Sequence, residues 1–288
     1  MYVIETILCP VDFSEFSQRA VRYGAALAAE YNARLIVLHV VPNVSDAAFP
    51  DRIPVVYSPL IEERSKQMEG FAEHHIPPGV RLEKRVKAGA AVSSILEVAR
   101  AESADLIVMG THGTSGYKQF FTGSTTHTVL DRSEIPVLTV CNPTRHIYPD
   151  MTYVAIKLKR ILCAVDPEHE NLRMAQLAMS IARTYASNII FVEVKTSEQT
   201  RRNEPSTMDF LKELIRPEDE LWSTVQLQQT TGDAPDEILR TIRSREIDLV
   251  IMGHEARKPM VVGALRSVAM QVVTQSECPV LVMRNKNH

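Results

Sequence analysis

Long apolar runs are missing from this 288-residue sequence, and none approaches the ~20 residues that a bilayer-crossing helix needs. The opening MYVIETILCPVDF also lacks the basic region and small-residue cleavage site of a secretory signal, so a soluble cytoplasmic protein with no membrane attachment is expected. Charge of one sign is missing too: 32 basic against 35 acidic residues leave a formal net charge of −3. Such a balance gives no electrostatic reason for sequence-independent binding to nucleic acid, which relies on clustered Lys and Arg neutralising phosphates. Cysteine is sparse. Cys9, Cys141, Cys163 and Cys278 form no C-x-x-C pair and have no His at ligand spacing, which argues against a structural zinc site and a disulfide framework. Burial as small apolar side chains is the expected role. Glycine is scarce, with 11 in the chain, and the 45% hydrophobic and 23% charged fractions are those of an ordinary globular protein, which excludes collagen-like and disordered classes. At ~100–200 residues per domain, the length suits two domains, each able to bury a core.

What the sequence does contain is a repeat. Ile7-Leu8-Cys9-Pro10-Val11-Asp12 returns as Ile161-Leu162-Cys163-Ala164-Val165-Asp166, a shift of 154 from position 12 to position 166. Asp105-Leu-Ile-Val-Met-Gly110 returns as Asp248-Leu-Val-Ile-Met-Gly253, and Ser133-Glu-Ile-Pro136-Val as Ser276-Glu-Cys-Pro279-Val, both shifted by 143. The order is kept and the spacing changes, so the first copy carries 11 more residues between its Asp and its glycine. The proline-containing stretch from Pro42 to Pro59 is where they are expected. The copies divide the chain into domains at residues 1–142 and 158–288.

Within the first copy, Thr6–Val11, Arg34–Val41, 106–109 and Val137–Val140 are aliphatic runs too short for helices, and they read as strands buried on both faces. Segments 14–31, 59–75 and 91–103 have helical periodicity; Ser14 suits an N-cap, and Ala20, Val21, Gly24, Leu27 and Ala28 share one apolar face. Strands alternating with helices predict an α/β fold of right-handed βαβ units on a parallel sheet. Pro10 fits a central strand poorly, because it removes a ladder donor; it is expected where the chain leaves the sheet.

In such a sheet, ligands bind outside the carboxyl ends of the strands at the topological switch point. Asp12 follows the first strand, where a carboxylate can accept from ribose hydroxyls. The loop after the 106–109 strand, Gly110-Thr-His-Gly113-Thr-Ser-Gly116-Tyr-Lys-Gln-Phe-Phe-Thr-Gly123-Ser124-Thr125-Thr126, holds four of the 11 glycines. Glycines let backbone N–H groups approach an anion, and a helix beginning near Ser124 adds free amides and the positive end of its dipole. A di- or triphosphate is the natural occupant. The loop is not a P-loop, since no Gly-Lys-Ser/Thr follows, nor the dinucleotide fingerprint, which belongs after a first strand.

Gly110-x2-Gly113-x9-Gly123-Ser124, with Asp12 before it and Pro136-Val137 after it, resembles the ATP-binding motif of the universal stress proteins. The resemblance covers nearly the whole chain twice, as in tandem-domain members. It implies two Rossmann-like domains of the adenine nucleotide alpha hydrolase type, each with a five-stranded parallel sheet, binding ATP, ADP or AMP, with Mg2+ as an accompanying ion. By position, Pro10, Asp12 and Val41 would line adenine and ribose, and Gly89 would lie near the ribose. Met109, Gly110, Gly113, Gly123, Ser124, Thr125 and Thr126 would form the phosphate cradle. The resemblance also implies edge-to-edge pairing of the last strands, here Val137–Val140 with the strand at Val280, as an intramolecular pseudo-dimer. A homodimer of such chains stays open, and no motif names a protein client.

The second copy keeps Asp166, Gly253 and Ser267 but has Ala256 and Arg266 where the second and third glycines belong, and the shifted Gly263 does not restore the spacing. Side chains there fill volume a phosphate needs, so one nucleotide per chain is expected, with phosphate pairing by Arg266 as the alternative. Plainer readings apply elsewhere. Asp12 also suits a helix N-terminal charge, Gly116 a turn, and Arg257-Lys258 a solvated basic pair. His112 and His254 follow the strand-end glycines with no carboxylate partner visible in sequence, so loop packing is their expected role. A nucleotide-responsive stress or regulatory module is the leading functional reading. A slow ATPase or nucleotidyl-transfer enzyme is the alternative, although no P-loop-type lysine, magnesium carboxylates or arginine finger can be identified.

Overall fold

The computed structural model describes residues 3–42, 53–111, 123–141, 156–166, 172–201, 207–215, 223–254 and 267–284. His112, Gly113, Gly116, Ala256, Arg257, Lys258, Gly263 and Arg266 lie outside the described residues, as does 43–52 of the Pro42–Pro59 stretch.

The first copy runs β1 (Thr6–Val11), α1 (Glu15–Tyr31), β2 (Arg34–Val41), α2 (Ile53–His75), β3 (Arg81–Ala88), α3 (Ala91–Ala101), β4 (Leu106–Gly110), α4 (Ser124–Arg132) and β5 (Val137–Val140). The second runs β6 (Arg160–Val165), α5 (Leu172–Tyr185), β7 (Asn188–Lys195), α6 (Ser197–Arg201), α7 (Thr207–Leu214), β8 (Val225–Thr231), α8 (Ala234–Ser244), β9 (Leu249–His254), α9 (Val268–Gln275) and β10 (Val280–Arg284). Ser14 caps α1 as its sequence predicts, accepting the Ser17 N–H. The helix at 59–75 begins earlier than its periodicity shows, at Ile53, with Pro59 inside it. Its polar, charged β3, RLEKRVKA, carries no buried apolar run and was not legible as a strand. It forms the outer edge, where charge discourages further pairing.

The ten strands of the described residues join one sheet in the order β3-β2-β1-β4-β5-β10-β9-β6-β7-β8. Pairing is parallel within each copy, and the seam between copies is the antiparallel β5–β10 pair, with Leu138 opposite Leu281. The two apolar edges therefore satisfy each other inside the chain. Alternation along the strands sorts the core into two layers. Ile7, Cys9, Val37 and Val108 face α1 and α2, while Leu8, Ile36, Leu38, Ile107 and Met109 face α3 and α4. Each layer continues through the second copy, with α5 and α7 on the first face and α8 and α9 on the second. Cys9 and Cys163 are fully buried, and burial pushes both thiols far above the ordinary range, which keeps them inert.

The shift between copies is 154 from Val41 to Lys195 but 143 from Gly89 to Gly232. The 11 additional residues of the first copy thus fall in the crossover that contains α2.

Candidate functional site

Pro10 shapes the entrance. The Thr6 carbonyl accepts the Asp105 N–H at 2.9 Å, so even-numbered residues of β1 turn their backbone groups toward β4. Pro10 therefore faces β4 with no N–H to offer. The β1–β4 ladder registers Ile7 with Leu106 and Leu8 with Ile107 and goes no further, while β1 stays paired with β2 out to Val11. Beyond Leu8 the sheet parts at its switch point, which opens a crevice at the carboxyl ends of the strands.

A cavity of about 200 Å3 occupies that crevice, walled by Pro10, Val11, Asp12, Ser17, Leu38, Val40, Ala91, Ile95, Met109, Gly110 and the Gly123–Thr126 stretch. One wall is apolar, from β2, α3 and Met109; the other end is polar, from Asp12 and the first turn of α4. Eight of the predicted residues meet here: Pro10, Asp12, Met109, Gly110, Gly123, Ser124, Thr125 and Thr126. Val41 and Gly89 stand outside the wall. Alternation on β2 turns Val40 toward the cavity and leaves Val41 on the other face, 2% exposed. The Val41 carbonyl accepts the Gly89 N–H at 2.9 Å, so this pair closes the loop after β3. Leu38, Val40, Ala91 and Ile95 were missed by motif reading, although the i, i+2 spacing on β2 and i, i+4 spacing on α3 put each pair on one face.

The polar groups are held in place locally. Asp12 Oδ1 accepts from Ser14 N–H at 3.0 Å and Ser14 Oγ–H at 2.6 Å. Phe13 between them adopts φ 65°, a left-handed conformation uncommon for a bulky residue. Its ring packs 4.5 Å from His39 and 5.3 Å from Phe71, which pins the turn. His39 Nδ1 lies 2.8 Å from the Val11 carbonyl and must donate to it; burial holds the imidazole below its ordinary range, so the ring is neutral. At the other end, the Gly123 N–H reaches Thr111 O at 2.7 Å and Thr126 Oγ–H reaches Gly110 O at 2.9 Å, tying the start of α4 to the end of β4. A Cβ on Gly110 would come within 2.9 Å of the Phe16 backbone, so glycine is required for that close approach. Among the described residues, no group of three or more His, Cys, Asp or Glu is placed to hold a metal ion.

The equivalent corner of the second copy is built differently. Ala164 stands in place of Pro10, and the β6–β9 ladder runs on through Cys163–Ile251 and Ala164–Met252. Ser267, the counterpart of Ser124, caps α9 and has its Oγ 3.3 Å from His254 Nδ1.

The Universal stress protein family model matches residues 4–140 and 157–284. The chain belongs to the universal stress protein family. Its membership is double, one match per copy. A universal stress protein of Thermus aquaticus is 32% identical over 139 residues, 48% of this chain and 99% of that protein. One from Methanocaldococcus jannaschii is 28% identical over 153 residues, covering 46% of this chain and 93% of its own. A whole-chain likeness to the crystal structure of a universal stress protein from Archaeoglobus fulgidus, at 20% identity and a TM-score of 0.71, covers 99% of this chain and 98% of that one, which supports the tandem fold. Among the described residues no helix is long and apolar enough to cross a membrane.

Proposed function

We propose that this universal stress protein is a nucleotide-responsive module whose first domain, 1–142, holds one adenine nucleotide, ATP or its hydrolysis products. The observation that carries the reading is the parting of β1 from β4 at Pro10, with an apolar slot on one side and Asp12 and the α4 N-terminus on the other. The slot between Leu38, Val40, Ile95 and Met109 suits a flat heterocycle, and Asp12 suits ribose hydroxyls. The open amides of Ser124, Thr125 and Thr126 at the positive end of α4 suit phosphate oxygens. Any Mg2+ would be held chiefly by the phosphates themselves, since the described residues offer no carboxylate cluster.

Among the described residues lining the cavity there is no lysine, no arginine and no second carboxylate. Efficient phosphoryl transfer draws on such groups, so binding is favoured over catalysis. In the second domain, 158–288, the closed ladder at Ala164 and the engagement of Ser267 with His254 favour a site without nucleotide.

The test is mass spectrometry of whatever small molecule is released when the purified protein is denatured, followed by titration calorimetry with ATP. An adenine nucleotide at one per chain is expected. Failure to bind any adenine nucleotide, or two equivalent sites per chain, would overturn the reading.

A further inference from the structure

Asp131, His254 and Ser267 come from three elements and from both copies. Asp131 lies in the last turn of α4, His254 ends β9, and Ser267 is the N-cap of α9. His254 Nε2 stands 2.7 Å from Asp131 Oδ1, and its Nδ1 stands 3.3 Å from Ser267 Oγ. The imidazole is 3% exposed, while Asp131 keeps one flank open beside His127, whose Nδ1 is 3.6 Å from its other oxygen.

An ionised carboxylate only accepts, so in the neutral ring the Nε2 proton goes to Asp131 and Nδ1 presents its lone pair to the Ser267 hydroxyl. Ser267 Oγ also accepts the Met270 N–H at 3.3 Å, which is compatible with its O–H donating to Nδ1. A nucleophile, a base within hydrogen-bond reach and a third group orienting the base are the parts of an activated serine. The ring nitrogens exchange their usual roles relative to most serine hydrolases, with Nδ1 as the base. Either imidazole nitrogen can serve once the other is tied to a carboxylate. Ser267 also sits at the start of α9, where amides and the helix dipole favour negative charge on an attacking oxygen or an oxyanion.

The first copy cannot build this arrangement. At the shift of 143, Thr111 stands in place of His254 and Thr274 in place of Asp131, with Ser124 as the counterpart of Ser267. The arrangement therefore belongs to the copy that departs from the phosphate-loop pattern, and it needs an aspartate from the other copy.

We propose that Ser267 is a base-activated nucleophile for acyl transfer, acting on carboxylic esters. Its Oγ attacks the carbonyl carbon as the proton passes to His254 Nδ1. Collapse breaks the bond to the leaving alkoxide, which takes that proton. Water, deprotonated by the same nitrogen, then releases the acid and restores the hydroxyl. Asp131 is a positioning residue, acting through His254.

The full-length chain treated with a fluorophosphonate and mapped by peptide mass spectrometry tests this. An adduct on Ser267 and none on Ser124 is expected, together with a burst of nitrophenol from p-nitrophenyl acetate. Labelling should slow by about 100-fold or more in His254→Gln. It should slow in Asp131→Asn and recover in part in Asp131→Glu, with circular dichroism confirming that each variant is folded. Absence of a Ser267 adduct in the unaltered protein overturns the proposal, and so does an adduct that forms at the same rate in folded His254→Gln; the hydroxyl is then only a helix cap.

Discussion

Asp105 accepts the N–H groups of Glu5 and Thr6 at 2.8 and 3.0 Å, and Asp248 accepts those of Lys159 and Arg160 at 2.6 and 2.8 Å. The two copies are thus tied identically at the edge where their first strands enter the sheet. At the opposite edge they part company. Pro10 ends one ladder early and Ala164 lets the other run on; Gly123-Ser124 opens one helix, and the second begins at a serine already bonded to a histidine. Repetition of sequence marks scaffold here, and departure from it marks where the geometry of the strand ends differs.

The comparison can be broken most sharply at the paired aspartates. Asp12→Ala is expected to weaken ATP binding at least tenfold, since hydrogen bonds to a charged group are worth about 1.5–3 kcal/mol. Asp166→Ala should leave the titration unchanged. Equal losses in the two variants, measured by calorimetry, would show that both copies contribute to binding.

The exchange at the switch point should have a smaller, directional effect. Ala164 faces β9 opposite Met252, so Ala164→Pro removes a ladder donor and is expected to cost about 1–3 kcal/mol in urea unfolding. Pro10→Ala restores a donor facing β4. It should leave stability the same or raise it, while narrowing the crevice and weakening ATP by roughly threefold to tenfold. A Pro10→Ala protein that binds ATP at full affinity would remove the proline from any part in opening the site.

The smallest contrast is in acid sensitivity. His75 on α2 is held down to about 4, by burial first and by Arg22 second, and its Nδ1 accepts the Arg22 Nε–H at 3.2 Å. The unfolded chain titrates this group near 6.5 and so binds more protons than the folded one between those values. Its contribution to stability is complete above about 6.5 and is lost as pH falls toward 4. His75→Gln should therefore flatten the fall in unfolding midpoint between pH 7 and pH 4.5; an identical fall in both proteins would assign the acid sensitivity to other groups.

Much of the fold was legible. Aliphatic runs marked four strands of the first copy, Ser14 marked a helix start, and the doubled motif marked two domains because each copy must bury its own sheet faces. β3 was not legible, since an edge strand of alternating charge has no burial signal, and the start of α2 was not, since Pro59 reads as a boundary. At the cavity, the strand-end Asp12 and the glycines at 110 and 123 announced themselves by residue type. Leu38, Val40 and Ile95 did not, because apolar side chains look the same whether they fill a core or wall a cavity.

The sequence by itself determined the doubling, the alternation of strand and helix, and the asymmetry between an intact glycine loop and an altered one. These are local matters of spacing, periodicity and side-chain volume. Only the tertiary structure decided that the sheet parts at Pro10, and that Val40 rather than Val41 turns into the cavity. It also decided that His254, with no partner visible in sequence, meets Asp131 from 123 residues away. The antiparallel β5–β10 seam lays the end of α4 beside the end of β9, and a contact of that range is set by how strands join, not by what adjoins along the chain.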